Sequence, residues 1–357
     1  MPAEVPDVSI LIPVFNTAGT LYRAAESLLR QSWNNIEIII INDASPDNAA
    51  EVIADLSRRD PRIRPVTLAY NMGTFAARLA GLRHCRGQYV MNLDADDTLD
   101  ADAVKILLEI ARKSGADAVG FGAREVTPSG ERLDYGNTLD STPFTLENGD
   151  IFDALFCKHA FSWSLCLKMI DRALMLEAVE NSGISPEMYV VFADDFLQFV
   201  PVARKLKKFV MSGRIFYNYY QEIGITGSKQ LDRAAFARSG SMLDALTAVK
   251  KYLTDNGIFE KYCTSFAVRE REQIAMLAER YHSRLPDPDK KAVLSDLYSR
   301  YANADIIKEL LETPPPAAPQ KTDKLRHLFK TESKLWYLLK KLQGRIKFRK
   351  GKVFYEC

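Results

Sequence analysis

The sequence predicts an α/β fold in which a mostly parallel sheet carries helices on both faces and is followed by an α-helical C-terminal extension. Three observations predict it. Over the first 125 residues, apolar runs alternate with amphipathic stretches, which is the rhythm of successive βα units. The run Ile36 to Ile41 is almost unbroken in its apolar character, as expected of a strand covered on both faces. Past Leu231 the alternation stops and long helical periodicity takes over.

The elements follow in order. Val8-Ser9-Ile10-Leu11-Ile12-Pro13-Val14 is the first strand, and Thr20 to Gln31 then aligns Leu21, Ala24, Ala25, Leu28 and Leu29 on one helical face. The second strand, Ile36 to Ile41, ends in Asn42-Asp43-Ala44-Ser45. Ser45-Pro46-Asp47 opens the next helix with cap-like residues and an early proline. Ile63 to Leu68 is a short third strand, followed by a helix over Thr74 to His84. Gln88 to Leu93 is a fourth strand that runs straight into Asp94-Ala95-Asp96-Asp97; a helix over Ala101 to Lys113 and a strand over Ala116 to Phe121 come next. Glu131 to Gly149 is polar and reads as a connection or edge hairpin. Ile151 to Tyr220 mixes helix and strand, with Trp163 to Leu176 and Asp194 to Leu206 as the helical stretches. Ala234 to Asn256, Phe259 to His282 and Ala292 to Leu311 form a helical annex. The expected organisation is a catalytic-type domain over 1–230, the annex over 231–312, a Pro-rich linker over 313–320 and a basic amphipathic tail over 321–357.

The 357 residues, 47% hydrophobic and 26% charged, exclude collagen-like, disordered and disulfide-scaffold classes. Five unpatterned cysteines without a CxxC pair read as reduced thiols in a cytosolic compartment. MPAEVPDVSI lacks the basic and apolar regions of a secretory signal, and no run of apolar residues is long enough to span a bilayer. The formal charge of +2 conceals an asymmetry. Lys321 to Lys352 holds 12 Lys and Arg against 2 Asp and Glu, a net of +10, so the remainder carries −8.

Asp94-Ala95-Asp96-Asp97 is the sharpest local feature. Three carboxylates within four residues repel one another unless a cation joins them, and hard divalent ions take one or two carboxylates together with phosphate oxygens. An isolated Asp-x-Asp is more often a solvated, helix-capping turn. Its place directly after an apolar strand favours a metal clamp for a diphosphate, because ligands of open α/β sheets bind outside the carboxyl ends of the strands. Asp43 lies at another such end.

Four ordered motifs carry a resemblance: Val8 to Asn16, Ile40-Ile41-Asn42-Asp43-Ala44-Ser45-Pro46-Asp47, Asn71-Met72-Gly73 with Ala77-Arg78 and Gly81, and Asn92-Leu93-Asp94-Ala95-Asp96-Asp97. The chain resembles the inverting family 2 glycosyltransferases of the GT-A fold, continuously over residues 8–122 and in patches to about Ser228. The resemblance implies a mixed sheet that binds a nucleoside diphosphate sugar. It implies that Pro13 and Phe15 line the base and ribose pocket and that Asp43 accepts a hydrogen bond from the base, most simply uracil. Arg78 would reach the base or diphosphate, Asp94 the ribose or the metal, and Asp96 would be the direct ligand of Mn²⁺ or Mg²⁺. Leu79 stands where the family has Asn. The family's base for the acceptor hydroxyl comes from a Glu-Asp pair opening a later helix; Ala193-Asp194-Asp195-Phe196-Leu197 matches it, with Asp194 in place of Glu and Asp195 as the base. A plain N-terminal helix cap is the alternative use of these aspartates.

The processive members' QxxRW segment is absent, so transfer of one sugar, or few, is expected. Trp163 with Lys168 resembles the family's segment near the acceptor, against the alternative of a core Trp. His159 is a further ligand candidate, although a lone His is more often structural. Tyr217 to Ser228 resembles a loop that closes over the donor phosphates. In the tail, Leu325, Leu328, Phe329, Leu335, Trp336, Leu338, Leu339 and Leu342 form an apolar stripe opposite Lys and Arg. Such a helix suits an anionic membrane surface, placing a cytoplasmic protein peripherally on the inner face of the cell membrane. Packing on the body, oligomerisation and nucleic acid are the other uses of such a segment, and nucleic acid is the least favoured. The expected partners are a nucleotide-sugar donor and a glycan or lipid-linked acceptor. A nucleotidyltransferase and a non-catalytic nucleotide-sugar-binding scaffold are the rival functions; Asn16-Thr17-Ala18-Gly19-Thr20 lacks the basic residue expected of the former.

Overall fold

The apolar runs at the start of the chain become the middle of a nine-stranded sheet. The computed structural model describes residues 5–131, 142–220, 230–301, 304–312, 348–349 and 352–353. Strands β1 (Val8–Val14), β2 (Ile36–Asn42), β3 (Ile63–Thr67) and β4 (Tyr89–Asn92) are parallel, and α1 (Ala18–Leu29), α2 (Ala49–Arg59) and α3 (Gly73–His84) connect them. Alternate residues of β1 and β2 serve two different cores. Ile10, Ile12, Ile38 and Ile40 face one side, whereas Leu11, Ile39 and Ile41 face the other, which is why these strands read as unbroken apolar runs.

The rest of the sheet is mixed. After β5 (Thr98–Leu99) and α4 (Ala103–Ser114) come β6 (Ala118–Val126), β7 (Phe144–Glu147), α5 (Gly149–Phe156), β8 (Lys168–Asp171), α6 (Arg172–Glu180), α7 (Asp194–Lys205) and β9 (Lys208–Tyr220). The strand order is β3-β2-β1-β4-β8-β6-β9-β5, with β7 paired to β9. β8 runs antiparallel to both its neighbours, β4 and β6. The expected helix over Trp163 to Leu176 is therefore corrected. Leu165–Leu167 is a single 3₁₀ turn, Lys168–Asp171 is a strand, and the helix begins only at Arg172, where the Asp171 carboxylate accepts from the Leu174 amide as an N-cap.

The annex consists of α8 (Arg233–Ser239), α9 (Ser241–Asp255), α10 (Phe259–Arg284), α11 (Asp287–Arg300) and α12 (Ala304–Glu312). The stretch read as one helix from Ala234 breaks at Gly240, and α11 starts five residues before the expected Ala292. These helices share one apolar core with the body: Phe236, Leu246, Leu277 and Leu297 belong to the same buried cluster as Leu11, Phe75 and Leu197. Phe348–Arg349 and Lys352–Val353 form a short antiparallel pair. The Pro-rich linker and the stripe from Leu325 to Leu342 lie outside the described residues. Among the described residues, no helix is long and apolar enough to cross a membrane.

Candidate active site

The parallel strands deliver their carboxyl ends to one rim, and the loops there are tied to one another. The Asn16 amide donates to Ser45 Oγ at 2.6 Å, and the Ala18 amide to Asp47 Oδ2 at 2.9 Å, which joins the turn after β1 to the turn after β2. Pro13 and Phe15, both half-buried, belong to this tied segment. Ser45-Pro46-Asp47 does not open α2 as expected. The helix begins at Ala49, and Asp47 ties the two loops through Oδ2 while its Oδ1 accepts from the Ala49 amide at 3.1 Å.

Asp43 is buried directly after β2, and its two oxygens accept from the amides of Met72 (2.7 Å) and Gly73 (2.9 Å) at the start of α3. Burial pushes its carboxyl up, against the pull of these two bonds. Gly73 is required at that point. Its φ is +81°, and a Cβ there would lie 3.1 Å from both the backbone N and O of Val190. The close approach brings the start of α3 against the segment that leads to α7.

Arg78, one and a half turns into α3, has a side chain only 3% exposed and is surrounded by carboxylates. Nη1 donates to Asp194 Oδ2 and to Asp195 Oδ1, each at 2.5 Å, and Nη2 donates to Asp94 Oδ1 at 2.7 Å and to Cys166 Sγ at 3.5 Å. The three acidic residues come from sites 16, 116 and 117 positions away along the chain. Burial disfavours the guanidinium charge, and the three carboxylates more than restore it. Asp194 is pushed up to about 7 by burial, with Arg78 pulling the other way. Asp195 keeps 24% of its side chain exposed and is the more accessible of the pair.

Neither aspartate is the cap of α7. That position belongs to Ala193, in the left-handed region at φ 62° and ψ 19°, and Asp194 and Asp195 occupy the first turn, where the helix dipole favours negative charge.

The Asp94–Asp97 segment divides into two roles. Asp97 is structural: it is buried, its Oδ2 accepts from Tyr217 Oη at 2.7 Å, and its Oδ1 accepts from the Tyr220 amide at 2.8 Å. Asp94 and Asp96 are half-buried, and Asp96 is pushed up to about 6 by burial and by the Asp94 charge. Arg23 of α1 donates to the Asp96 carbonyl at 2.6 Å and lies 3.6 Å from the centroid of the Tyr220 ring. Among the described residues, no group of three or more His, Cys, Asp or Glu is arranged to hold a metal. Two repelling carboxylates on the rim do fit a hard divalent ion that takes its remaining ligands from a diphosphate.

Of the other sequence candidates, Trp163 is half-buried, its ring centroid 4.9 Å from that of Phe196 and 4.4 Å from the Arg269 guanidinium of the annex. Lys168 is buried in the body, its ammonium donating to the carbonyls of Ser162 (2.5 Å) and Ser164 (2.7 Å), so it staples the loop behind Trp163. His159 is pushed down to about 3 by burial and by Arg269, so its ring is neutral. Tyr217 to Tyr220 ends β9, and residues 221–229 lie outside the described residues. Arg23 and Cys166 were not singled out by sequence, and Tyr217 was named only as the first residue of the expected closing loop. Their only signals were residue type, since each acts through a partner more than 70 positions away.

A mixed sheet with this strand order and helical layers is the GT-A-like fold. The segment 9–171, just under half of the chain, matches the family model described as Glycosyl transferase family 2. It is 38% identical over 118 residues to the uncharacterized glycosyltransferase EpsJ of Bacillus subtilis, covering 33% of this chain and 34% of that protein. It is 36% identical over 113 residues to the succinoglycan biosynthesis protein ExoO of Rhizobium meliloti, covering 32% of each. The chain thus matches about a third of the length of these relatives. In the same fold are S. aureus TarS 1-349 in complex with UDP-GlcNAc (14% identity, TM-score 0.54, covering 98% of this chain and 99% of that one) and a mannosyltransferase from Pyrobaculum calidifontis in complex with GDP-Man and Mn²⁺ (15% identity, TM-score 0.51, covering 96% and 86%).

Proposed function

We propose that the chain is an inverting, metal-dependent, non-processive glycosyltransferase that moves a sugar from a nucleotide diphosphate donor, most simply a UDP-sugar, to a hydroxyl of a glycan or lipid-linked acceptor in surface-polysaccharide synthesis. The observation that carries this reading is the convergence of Asp94, Asp194 and Asp195 on the Arg78 guanidinium at 2.5 to 2.7 Å, beside Asp96 on the carboxyl-end rim.

Asp94 and Asp96 would hold Mn²⁺ or Mg²⁺, and the ion would neutralise the donor diphosphate and the diphosphate that leaves. Pro13, Phe15 and Asp43 bound the nucleoside end of the rim. Asp43 spends one lone pair of each oxygen on the start of α3 and retains acceptor capacity for a base N–H. Asp195 removes the acceptor proton from the face opposite the leaving group. Arg78 holds one of its oxygens and leaves the other to act. The names of the relatives support polysaccharide synthesis, and the ligands of the structural neighbours support a nucleotide-sugar donor.

The test is a panel of UDP- and GDP-sugars with and without Mn²⁺, read first by thermal shift and then by transfer. A UDP-sugar is expected to raise the melting temperature in Mn²⁺, and Asp195→Asn is expected to retain that shift and lose transfer. Full transfer by Asp195→Asn removes it as base, and no shift with any uridine donor removes the Asp43 assignment. The basic tail is proposed to bind anionic membrane; equal flotation on anionic liposomes with and without residues 321–357 would refute that.

A further inference from the structure

The segment that delivers Asp194 and Asp195 is held from outside itself. Tyr189 to Ala193 has no regular structure and ends at the left-handed Ala193, a conformation that a non-glycine residue keeps only where its surroundings over-determine it. One side of the restraint comes from α3. The Phe75 amide donates to the Val190 carbonyl at 3.0 Å, and Gln198 Nε2 donates to the Phe75 carbonyl at 3.0 Å. The other side comes from the annex. Ser241 Oγ, in a residue only 1% exposed, accepts from the amides of both Val191 (3.0 Å) and Phe192 (3.2 Å). The guanidinium of Arg280 lies 4.5 Å from the centroid of the Phe192 ring, and its Nε donates to Ser239 Oγ at 3.0 Å. Both anchors lie beyond residue 171, where the family match ends.

We propose that Ser241 and Arg280 are positioning residues for sugar transfer, fixing the left-handed corner at Ala193 and through it the aim of the Asp195 carboxylate. The inference rests on the reading of Asp195 as the base. On this account the helical annex is part of the active site's framework. A single hydroxyl accepting two consecutive amides sets the path of the backbone two residues before the corner, and no residue of the first 171 supplies those two bonds. A displacement of the base by about 1 Å is enough to cost on the order of 10²-fold in rate.

The experiment uses the full chain with Ser241→Ala, Ser241→Thr and Leu253→Ala. Leu253 is fully buried in the same core, but lies twelve residues along α9 from Ser241, about 18 Å away by helix rise. Three readouts are taken: kcat and KM with a UDP-sugar and Mn²⁺, the Kd of UDP with Mn²⁺ by calorimetry, and amide hydrogen exchange over residues 189–196. Ser241→Ala is expected to lower kcat by about 10²-fold with donor KM and UDP Kd within about twofold. It should also speed exchange at Val191 and Phe192, and Ser241→Thr should restore most of both. Leu253→Ala should lower the melting temperature with kcat preserved. Unchanged kcat in Ser241→Ala, an equal kcat loss in Leu253→Ala, or unchanged exchange at Val191 and Phe192 would each overturn the proposal. A wild-type chain that transfers no sugar would defeat the base reading, and the exchange measurement would still decide whether Ser241 holds the corner.

Discussion

Replacing Arg78 by methionine removes a buried guanidinium while keeping most of the bulk of its stem, and it leaves Asp94, Asp194 and Asp195 facing one another. Removing one partner of a buried ion pair costs about 3–5 kcal/mol. The lower end applies here, because the side chains of Asp94 and Asp195 are 41% and 24% exposed and water relieves part of their repulsion. A loss of about 3 kcal/mol in a chain of this size lowers the melting temperature by about 4 °C.

The loss depends on pH. Asp194 is already pushed up to about 7 by burial while Arg78 opposes that rise, so removing Arg78 moves it higher. A carboxyl whose folded pKa lies above its unfolded value binds protons better when folded; its stabilising contribution is full at low pH and is lost as pH rises through the folded pKa. The gap between wild type and Arg78→Met should therefore be narrow at pH 5 and widest at pH 8. Scanning calorimetry of the metal-free chain at pH 5, 6.5 and 8 measures it. Melting temperatures within about 1 °C of each other at pH 8, or a wider gap at pH 5 than at pH 8, would refute the electrostatic account of the site.

Three further outcomes are expected. Gly73→Ala forces a Cβ to 3.1 Å from the Val190 backbone at φ +81° and should cost about 1–3 kcal/mol in denaturant titrations; no loss would mean that α3 and the Val190 segment separate easily. Glu37 is buried and accepts from Ser9 Oγ (2.7 Å), the Arg86 amide (2.6 Å) and Arg64 (2.7 Å), and these bonds hold its carboxyl below the usual range despite burial. Glu37→Gln should cost about 2–3 kcal/mol at pH 7. Because a lowered folded pKa contributes stability above the unfolded value and loses it as pH falls through the folded one, the deficit should shrink below about pH 4. Asp96→Asn removes a charge that repels Asp94, so it should raise metal-free stability at pH 8 by up to about 2 kcal/mol. It should also abolish the extra thermal shift that Mn²⁺ gives in the presence of UDP; retention of that shift would move the metal elsewhere.

The first half of the fold was legible because strands buried on two faces are mostly apolar, and β1, β2 and β4 stand out between amphipathic helices despite buried polar residues such as Ser9, Glu37 and Asn92. Legibility fell where local pattern and pairing part company. The stretch from Trp163 to Leu176 was read as helical, yet Lys168–Asp171 within it is drawn between β4 and β6 as an antiparallel strand, with the Lys168 ammonium turned back onto the Ser162 and Ser164 carbonyls. The thirteen-residue β9 was hidden as well. It lacks clean alternation, includes Gly213 at φ +67°, and pairs with β6 through register shifts at Gly120–Gly122 and Gly122–Ala123. The break at Gly240 is likewise tertiary, since Ser239 and Ser241 are used by partners that lie 41 and 50 residues away.

At the site, the sequence showed the carboxylates but not what neutralises them. Asp94-Ala95-Asp96-Asp97 looks like a three-carboxylate clamp, and the structure leaves much less of it for a cation. Asp97 is spent on Tyr217 Oη and the Tyr220 amide, and one oxygen of Asp94 is spent on Arg78. What is left for a cation is half-buried Asp96 with the remainder of Asp94, and burial together with the Asp94 charge pushes Asp96 up to about 6. A divalent ion held by so little protein charge depends on a diphosphate for its other ligands, so metal and donor are expected to bind together and neither tightly alone. The same arginine that weakens the proposed clamp joins it to Asp195, the proposed base. Through Arg78 the loop after β4 and the first turn of α7 share one buried cation, and that link is visible only once residues 78, 94, 194 and 195 are brought together in space.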